Sequence, residues 1–284
     1  MPRRPAPPRF TNLPLLLLLL AIVAVIVDEP ARWARGGGLL GHAEWDGVLP
    51  ADLIAPVFIF LLGVTVVVSE RPLHLPAALT IAVALFAAGV AVNGFSRPDI
   101  GTWRLTGVLQ RAGITLAIAA IANAGATGDY RRRIALLGSA ATLGTLTYWL
   151  VMAHVPPPHG VAGDLSPTAN LAAWVDWTIL GRHAWNEHWD PDGILSTLSS
   201  VSTVLAGVVA GIAVTSNWRG TRTMLHLVGA GAGAIVAGLF WSLMVPINRS
   251  LWSASFVVFS AGVGSLLLAG VIGAIGVNAE KRWR

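Results

Sequence analysis

Apolar runs of about 20 residues recur along the whole chain, at roughly 12–27, 53–68, 75–95, 105–124, 134–153, 194–214, 223–243 and 251–277. A helix of that length, at about 1.5 Å per residue, crosses the roughly 30 Å hydrocarbon core of a bilayer. In hydrocarbon every backbone N–H and C=O must be satisfied within the protein, so isolated spans of this kind have to be helical. The fold class is therefore all-α: a polytopic integral membrane protein of about eight transmembrane helices in one bundle, a single domain over 1–284. Composition agrees. The chain is 55% hydrophobic and only 12% charged, about half the charged share of a soluble domain. The first run, "LPLLLLLLAIVAVIV" behind "MPRR", resembles a signal-peptide core, but no A-x-A site follows it and it is counted as a helix.

The loops fix an orientation. With the N-terminus in the cytoplasm, twelve Lys/Arg fall on that side and six on the other, the bias expected of cytoplasmic loops. Eight spans return both termini to the cytoplasm, and both tails, including residues 1–11, are basic. The net charge of +5 is thus explained by topology, and nucleic acid is not an expected partner; the lipid bilayer is. The absence of cysteine excludes disulfides, thiolate nucleophiles and cysteine metal sites. Two outer loops, 28–52 and 154–193, are long enough to carry function.

The densest polar cluster lies at the mouth of the second run. "GHAEWDGVLPADL" (41–53) holds His42, Glu44, Asp46 and Asp52. Histidine titrates near neutrality and a carboxylate partner fixes its tautomer, so His42 is a candidate general base. The plainer reading makes Asp52 a helix N-cap and His42 a loop residue. Glu44 and Asp46 read as solvated loop carboxylates. Arg111, in "GVLQRAG", falls about two turns inside the fourth run, where a charge marks either a site or a buried ion pair with Asp52 or another outer carboxylate. Gln110 beside it adds an amide. "WDPDGILSTLSS" (189–200) sets Asp190 and Asp192 before the sixth run, where acidic groups also cap helices. "VPINRSLWSASF" (245–256) brings Asn248, Arg249 and Ser253 to the ends of the last two runs.

All four motifs fall on the outer side, at the ends of runs two, four, six and eight. A polar cavity walled by those four runs would gather them. His183 and His188 are five apart, not the i, i+4 spacing of two ligands on one helical face, and no metal is expected. Seven of the twelve tryptophans, among them Trp45, Trp174, Trp177, Trp185 and Trp189, lie on the outer side. The generic reading is an interfacial aromatic belt; the second is a set of flat faces for stacking a sugar ring. "GAGAGAIVAG" (229–238) follows no strand and reads as small-residue packing between helices.

In this order and spacing the motifs resemble bacterial members of the heparan-α-glucosaminide N-acetyltransferase family, a branch of the transmembrane acyltransferases. The matching stretches are "HAEWDGVLPADLIAPVFIFLLGV" (42–64), "WRLTGVLQRAGIT" (103–115), "DPDGILSTL" (190–198) and "VPINRSLWSASFV" (245–257). The resemblance runs over roughly 9–270. It implies transfer of an acetyl group from acetyl-CoA, a co-substrate on the cytoplasmic side, to an amino sugar or other glycan on the outer side of a bacterial inner membrane. It implies His42, in H-x-x-W-x-G, as the catalytic residue, either a base or a transient acetyl carrier. Asp52 shapes that site together with Asp28, which stands where the family usually has asparagine.

Arg111, Gln110, Trp45, Asp190, Asp192, Asn248 and Arg249 are then expected on the substrate. Arg131, Arg132, Arg219 and Arg222 are candidates for the phosphates of CoA, although positive-inside topology accounts for them without a ligand. A homodimer is a candidate assembly. Two departures stand out. The family's S-L-D-x-x-R-G-like start is replaced by "NLPLLLLLL" (12–20), with Pro14 and Leu17 for the charged pair. The family also continues for about three more spans beyond "EKRWR" (280–284). Both favour the alternative of a catalytically inactive relative, a glycan-binding, carrier or structural membrane protein. A proton-coupled transporter using Asp52 and Arg111 ranks third, there being no clear internal repeat.

Overall fold

The computed structural model describes residues 41–68, 74–95, 99–186, 189–216 and 221–281, together with Val23. The run expected at 12–27 lies, Val23 apart, outside the described residues. Among the described residues there is no strand. A 3-10 turn, Pro50–Leu53, leads into α1 (Ile54–Val68); then follow α2 (Leu75–Phe95), α3 (Val108–Gly125), α4 (Tyr130–His154), α5 (Leu171–Leu180), α6 (Ile194–Ser216), α7 (Thr221–Trp241) and α8 (Ala254–Lys281). All but α5 are long and apolar enough to cross a membrane, and they fall within four residues of seven of the expected runs. The protein is an all-helical, multi-pass membrane bundle. The unexpected element is α5, inside the long loop. Its start is set by Asn170, whose Oδ1 accepts from the backbone N–H of Ala173 at 2.8 Å, a standard N-cap.

The bundle has an inner and an outer set of helices. α1 and α6 pack on each other, and each packs on α3 and on α8. Their faces are covered by protein: 83% of the α1 span and 72% of the α6 span are buried, against 17%, 17% and 22% for α2, α4 and α7. The inner four are the four runs that carry the polar motifs. The outer three carry apolar side chains such as Phe86, Leu143 and Phe240 outward, which suits a lipid-facing surface.

Lipid tails are as apolar as leucine, so helix association in a membrane rests on close packing and polar contacts. α1 and α6 show the first. A Cβ on Gly63 would sit 2.0 Å from the carbonyl oxygen of Val204, and one on Gly207 would sit 1.9 Å from that of Phe60. Backbone meets backbone at this crossing, and no larger residue fits. The glycine-rich run of α7 packs likewise through Gly231 against Gly262 and Gly238 against Phe259 of α8, whereas Gly229 and Gly233 have no neighbour there.

The polar segments meet at one end of the bundle. Gly47 N–H donates to the carbonyl of Ile247 at 2.7 Å, and Leu105 N–H to that of His183 at 3.2 Å. The segments preceding α1, α3, α6 and α8 are thereby stitched together. Replacing Gly207 by alanine is expected to force α1 and α6 apart and to cost about 1–3 kcal/mol, the usual range for overpacking. Gly229→Ala, with open space around it, should leave the melting temperature of the detergent-solubilised protein unchanged or slightly raised. Equal effects of the two would show that the crossing is not tight.

Candidate active site at one end of the bundle

His42 and Asp52 form a pair. His42 Nδ1 lies 2.6 Å from Asp52 Oδ1, and Asp52 is 1% exposed. The other carboxylate oxygen accepts from the backbone N–H groups of Leu49 (2.7 Å) and Ala43 (3.2 Å). The local sequence produces this geometry. "LPADL" makes the 3-10 turn that brings Asp52 back to Leu49, with Pro50 at its first position, where the missing N–H is not needed. Asp52 is thus both a helix-entry cap and the anchor of His42. An ionised carboxylate only accepts, so the ring donates from Nδ1, and in its neutral form the lone pair is on Nε2. That Nε2 is buried and has no hydrogen-bond partner among the described residues.

Arg111 finds its partner in Asp192 rather than Asp52. Its Nε lies 3.5 Å from Asp192 Oδ1. Nη2 donates to the carbonyl of Pro191 at 3.0 Å and to Ser196 Oγ at 2.6 Å. The guanidinium carbon lies 4.3 Å above the ring of Trp252, within cation–π range. A second arginine completes the cluster. Arg104 Nη2 donates to Asp190 Oδ1 at 2.8 Å and to Asp192 Oδ2 at 3.2 Å. Asp190 also accepts from Thr106 Oγ1 and from the backbone of Trp185 and Asp192. All four charged residues are buried. Asp190 and Asp192 face guanidiniums and do not cap α6; that place is taken by Asp176 of α5, whose Oδ1 accepts from Ile194 N–H at 2.8 Å.

The 245–253 segment joins the two halves. Asn248 Nδ2 donates to Asp46 Oδ1 at 3.3 Å, and its Oδ1 accepts from Leu251 N–H at 2.8 Å. Asp46, expected to be only solvated, is therefore tied to the last motif. Trp252, fully buried, adopts a positive φ of 50°, an unusual conformation for a bulky residue. Its indole N–H donates to Thr203 Oγ1 at 3.0 Å, and its carbonyl accepts from Ser199 Oγ at 2.7 Å. A continuous path of contacts so runs from the His42 loop through Asp46, Asn248 and Trp252 to Arg111 and Asp192. Trp45 stands beside it, edge-on to Trp189 with ring centres 5.2 Å apart, and Trp189 lies 5.1 Å from Trp185.

The other expected residues fall elsewhere or beyond view. Gln110 points toward α2, its amide against Gly89, with Nε2 unpartnered among the described residues. Arg249 is buried in the 245–253 segment. Arg131, Arg132 and Arg222 are exposed at the starts of α4 and α7, the end opposite His42. Asp28, Arg219 and His188 lie outside the described residues. Among the described residues no group of three His, Asp or Glu could hold a metal ion. Arg104, Thr106, Asp176 and Trp252 escaped the sequence reading. Arg104 looks like an ordinary rim base there. Asp176 alone gave a signal, a lone carboxylate in the apolar decamer "LAAWVDWTIL".

The fold and site define a multi-pass membrane protein with a carboxylate-anchored histidine and a compensated charge cluster at one end of the bundle. In sequence it is similar to heparan-alpha-glucosaminide N-acetyltransferase of Mus musculus, 24% identical over 286 residues covering 78% of this chain and 43% of the relative. It is equally similar to the Homo sapiens protein of the same name, 24% identical over 320 residues covering 88% of this chain and 46% of the relative. The similarity supports a relationship to that family. The chain spans less than half the length of these curated relatives. No protein-family model matches it.

Asp176 gives the site a pH dependence. Burial pushes its carboxyl up to about 7, and the nearby Asp190 carboxylate adds to the effect. Asp190 behaves oppositely: burial opposes its charge, but Arg104 and the hydrogen bonds around it hold its carboxyl below the usual range. An unfolded aspartate titrates near about 3.9. Between there and about 7 the folded state binds the extra proton, so Asp176 makes stability fall as pH rises through that window and level off above it. Asp176→Asn keeps an oxygen for Ile194 N–H. It is expected to flatten the melting temperature between about pH 4 and 7; an unchanged slope would assign the dependence to other groups.

Proposed function

We propose that this chain is a membrane acetyltransferase that moves an acetyl group from acetyl-CoA to an amino sugar or related glycan, with His42 at the catalytic centre. One observation carries the reading. His42 Nδ1 is fixed on the buried Asp52 while Nε2 is buried and unpartnered among the described residues. That is the arrangement a general base or nucleophile requires. As base, Nε2 takes a proton from the acceptor amine as its nitrogen bonds to the thioester carbonyl carbon. The C–S bond then breaks and CoA leaves as the thiol on receiving that proton. As carrier, Nε2 itself takes the acetyl group and releases it to the amine in a second step.

The proposed reaction sets its two substrates at opposite ends of the bundle. Arg131, Arg132 and Arg222 stand at the end opposite His42, about 27 Å away along the 18 residues of α3. They are suited to the phosphates of CoA on the cytoplasmic side, with both termini there and the acceptor at the His42 end. The name of the curated relatives supports the acetyl group and the amino sugar.

A non-catalytic, glycan-binding relative is the second reading. It draws on Arg104, Arg111, Asp190 and Asp192, which bind one another and so have a structural role without a substrate. Transfer from labelled acetyl-CoA by proteoliposomes separates the two. His42→Ala is expected to lower turnover by at least about 10²-fold, the usual share of acid–base catalysis, without loss of folded protein; Asp52→Asn should give an intermediate loss. Label retained on wild-type protein after acid quench, and absent from His42→Ala, identifies the carrier route. Undiminished transfer by His42→Ala would remove His42 from the mechanism, and no transfer or acetyl-CoA binding by the wild type would leave the second reading.

A further inference from the structure

We infer that the cavity between α5 and the 157–160 turn is a binding site for an uncharged saccharide ring. It lies at the end of the bundle that carries His42, and its significance as an acceptor subsite rests on the function proposed above. The cavity measures about 530 Å³, within the range of small-molecule sites. One wall is α5, which turns Trp174 and Trp177 outward, 39% and 53% exposed. Three residues apart, they share one face of the helix. The facing wall is Pro157, Pro158 and His159, with Thr168 at the side.

Both walls are rigid. The prolines fix their own φ, Gly160 N–H closes a turn on the carbonyl of Pro157 at 2.9 Å, and His159 is held at φ 63°, a region that costs a non-glycine residue energy. α5 cannot swing, because its other face is buried: Leu171 and Ala172 pack with Tyr148, Met152 and Leu251. Trp45 packs against the same cluster and donates from Nε1 to the carbonyl of Leu165 at 2.8 Å. The platform is thereby coupled to the loop three residues from His42.

The chemistry of the lining selects the ligand class. Among the described residues no Lys, Arg, Asp or Glu lines the cavity. Two indole faces offer flat apolar area for the C–H face of a pyranose, and the His159 imidazole and Thr168 hydroxyl offer hydrogen bonds to its hydroxyls. Asn170 contributes structure only, its amide being taken by Ser166, Pro167 and Ala173. Sulfate or phosphate groups would meet none of the bases that recognise them among the described lining residues. Tryptophans of a plain interfacial belt would face acyl chains, whereas these face a turn across a gap.

The test is binding without turnover. Purified full-length protein in nanodiscs is titrated with N-acetylglucosamine and its β-linked trimer, followed by saturation-transfer NMR and tryptophan fluorescence. Saturable binding is expected, tighter for the trimer. The Trp174→Ala/Trp177→Ala double variant should weaken it about tenfold or more, and the Trp→Phe pair should retain most of it. Circular dichroism melts confirm that these exposed replacements leave the fold intact. His42→Ala should bind as the wild type does, so that failure of the catalytic reading and failure of this site give different results. The inference is overturned by no binding to the wild type, by full binding to the Ala pair, by tighter binding of sulfated than of neutral sugar, or by quenching of Trp174 and Trp177 by brominated acyl chains.

Discussion

The compensation of two buried arginines by two buried aspartates holds the His42 end of this bundle together. A charge left alone at such a place costs several kcal/mol, and removing one partner of a buried pair typically costs about 3–5 kcal/mol. Arg104, Arg111, Asp190 and Asp192 avoid that penalty only jointly. The fork of Arg104 spans both carboxylates, and Arg111 closes on Asp192 from the other side. Because the arginines come from the entry of α3 and the aspartates from the entry of α6, the cluster fixes how these two inner helices meet. The close glycine contact of α1 with α6 then leaves α1 little freedom.

That anchoring reaches His42 through Trp252. A bulky residue with positive φ persists only where its surroundings over-determine it. Trp252 is fixed by Arg111 over its ring, by Thr203 at its indole N–H and by Ser199 at its carbonyl. The strained turn shapes the 245–253 segment, which holds the His42 loop through Asn248 to Asp46 and Ile247 to Gly47. His42 is therefore oriented twice, from below by Asp52 and from the side by a loop whose shape depends on the charge cluster. Arg111 is thereby linked to the candidate centre through Trp252 and the 245–253 segment.

Much of the architecture was legible from the spans. The seven described membrane helices follow from length and hydropathy alone, and the four motif-bearing runs proved to be the four inner helices. What the sequence did not reveal was pairing. Arg104 and Asp190 are 86 residues apart, and nothing local distinguishes Asp192 from Asp52 as the mate of Arg111. Nor does amphipathicity help, because a helix between lipid and protein is apolar on both faces. α5 was hidden for another reason. Its ten residues are too short to stand out as a span, and its buried face is recognisable only once Trp45 and Leu251 are seen against it. Glycine spacing in α7 pointed correctly to packing, whereas the tighter α1–α6 contact rests on Gly63 and on the single Gly207-x-x-x-Gly211 pair of α6, a signal easily lost among the chain's many glycines.

The burial of His42 Nε2 bears on what kind of transfer such a centre favours. A thioester or an acetyl-imidazole is open to water as well as to an amine, and excluding water is what turns hydrolysis into transfer. A histidine in an open loop would offer no such protection. Here the ring is anchored at the buried end by Asp52, while Trp45, Trp189 and Trp185 form a contiguous aromatic group next to the same loop. An acceptor with one flat apolar face and one amine can displace water along that group as it approaches; a small polar molecule cannot. Under the function proposed above, selectivity for sugar over water would lie in the tryptophans around the histidine, with Trp185 tied to the charge cluster through Asp190.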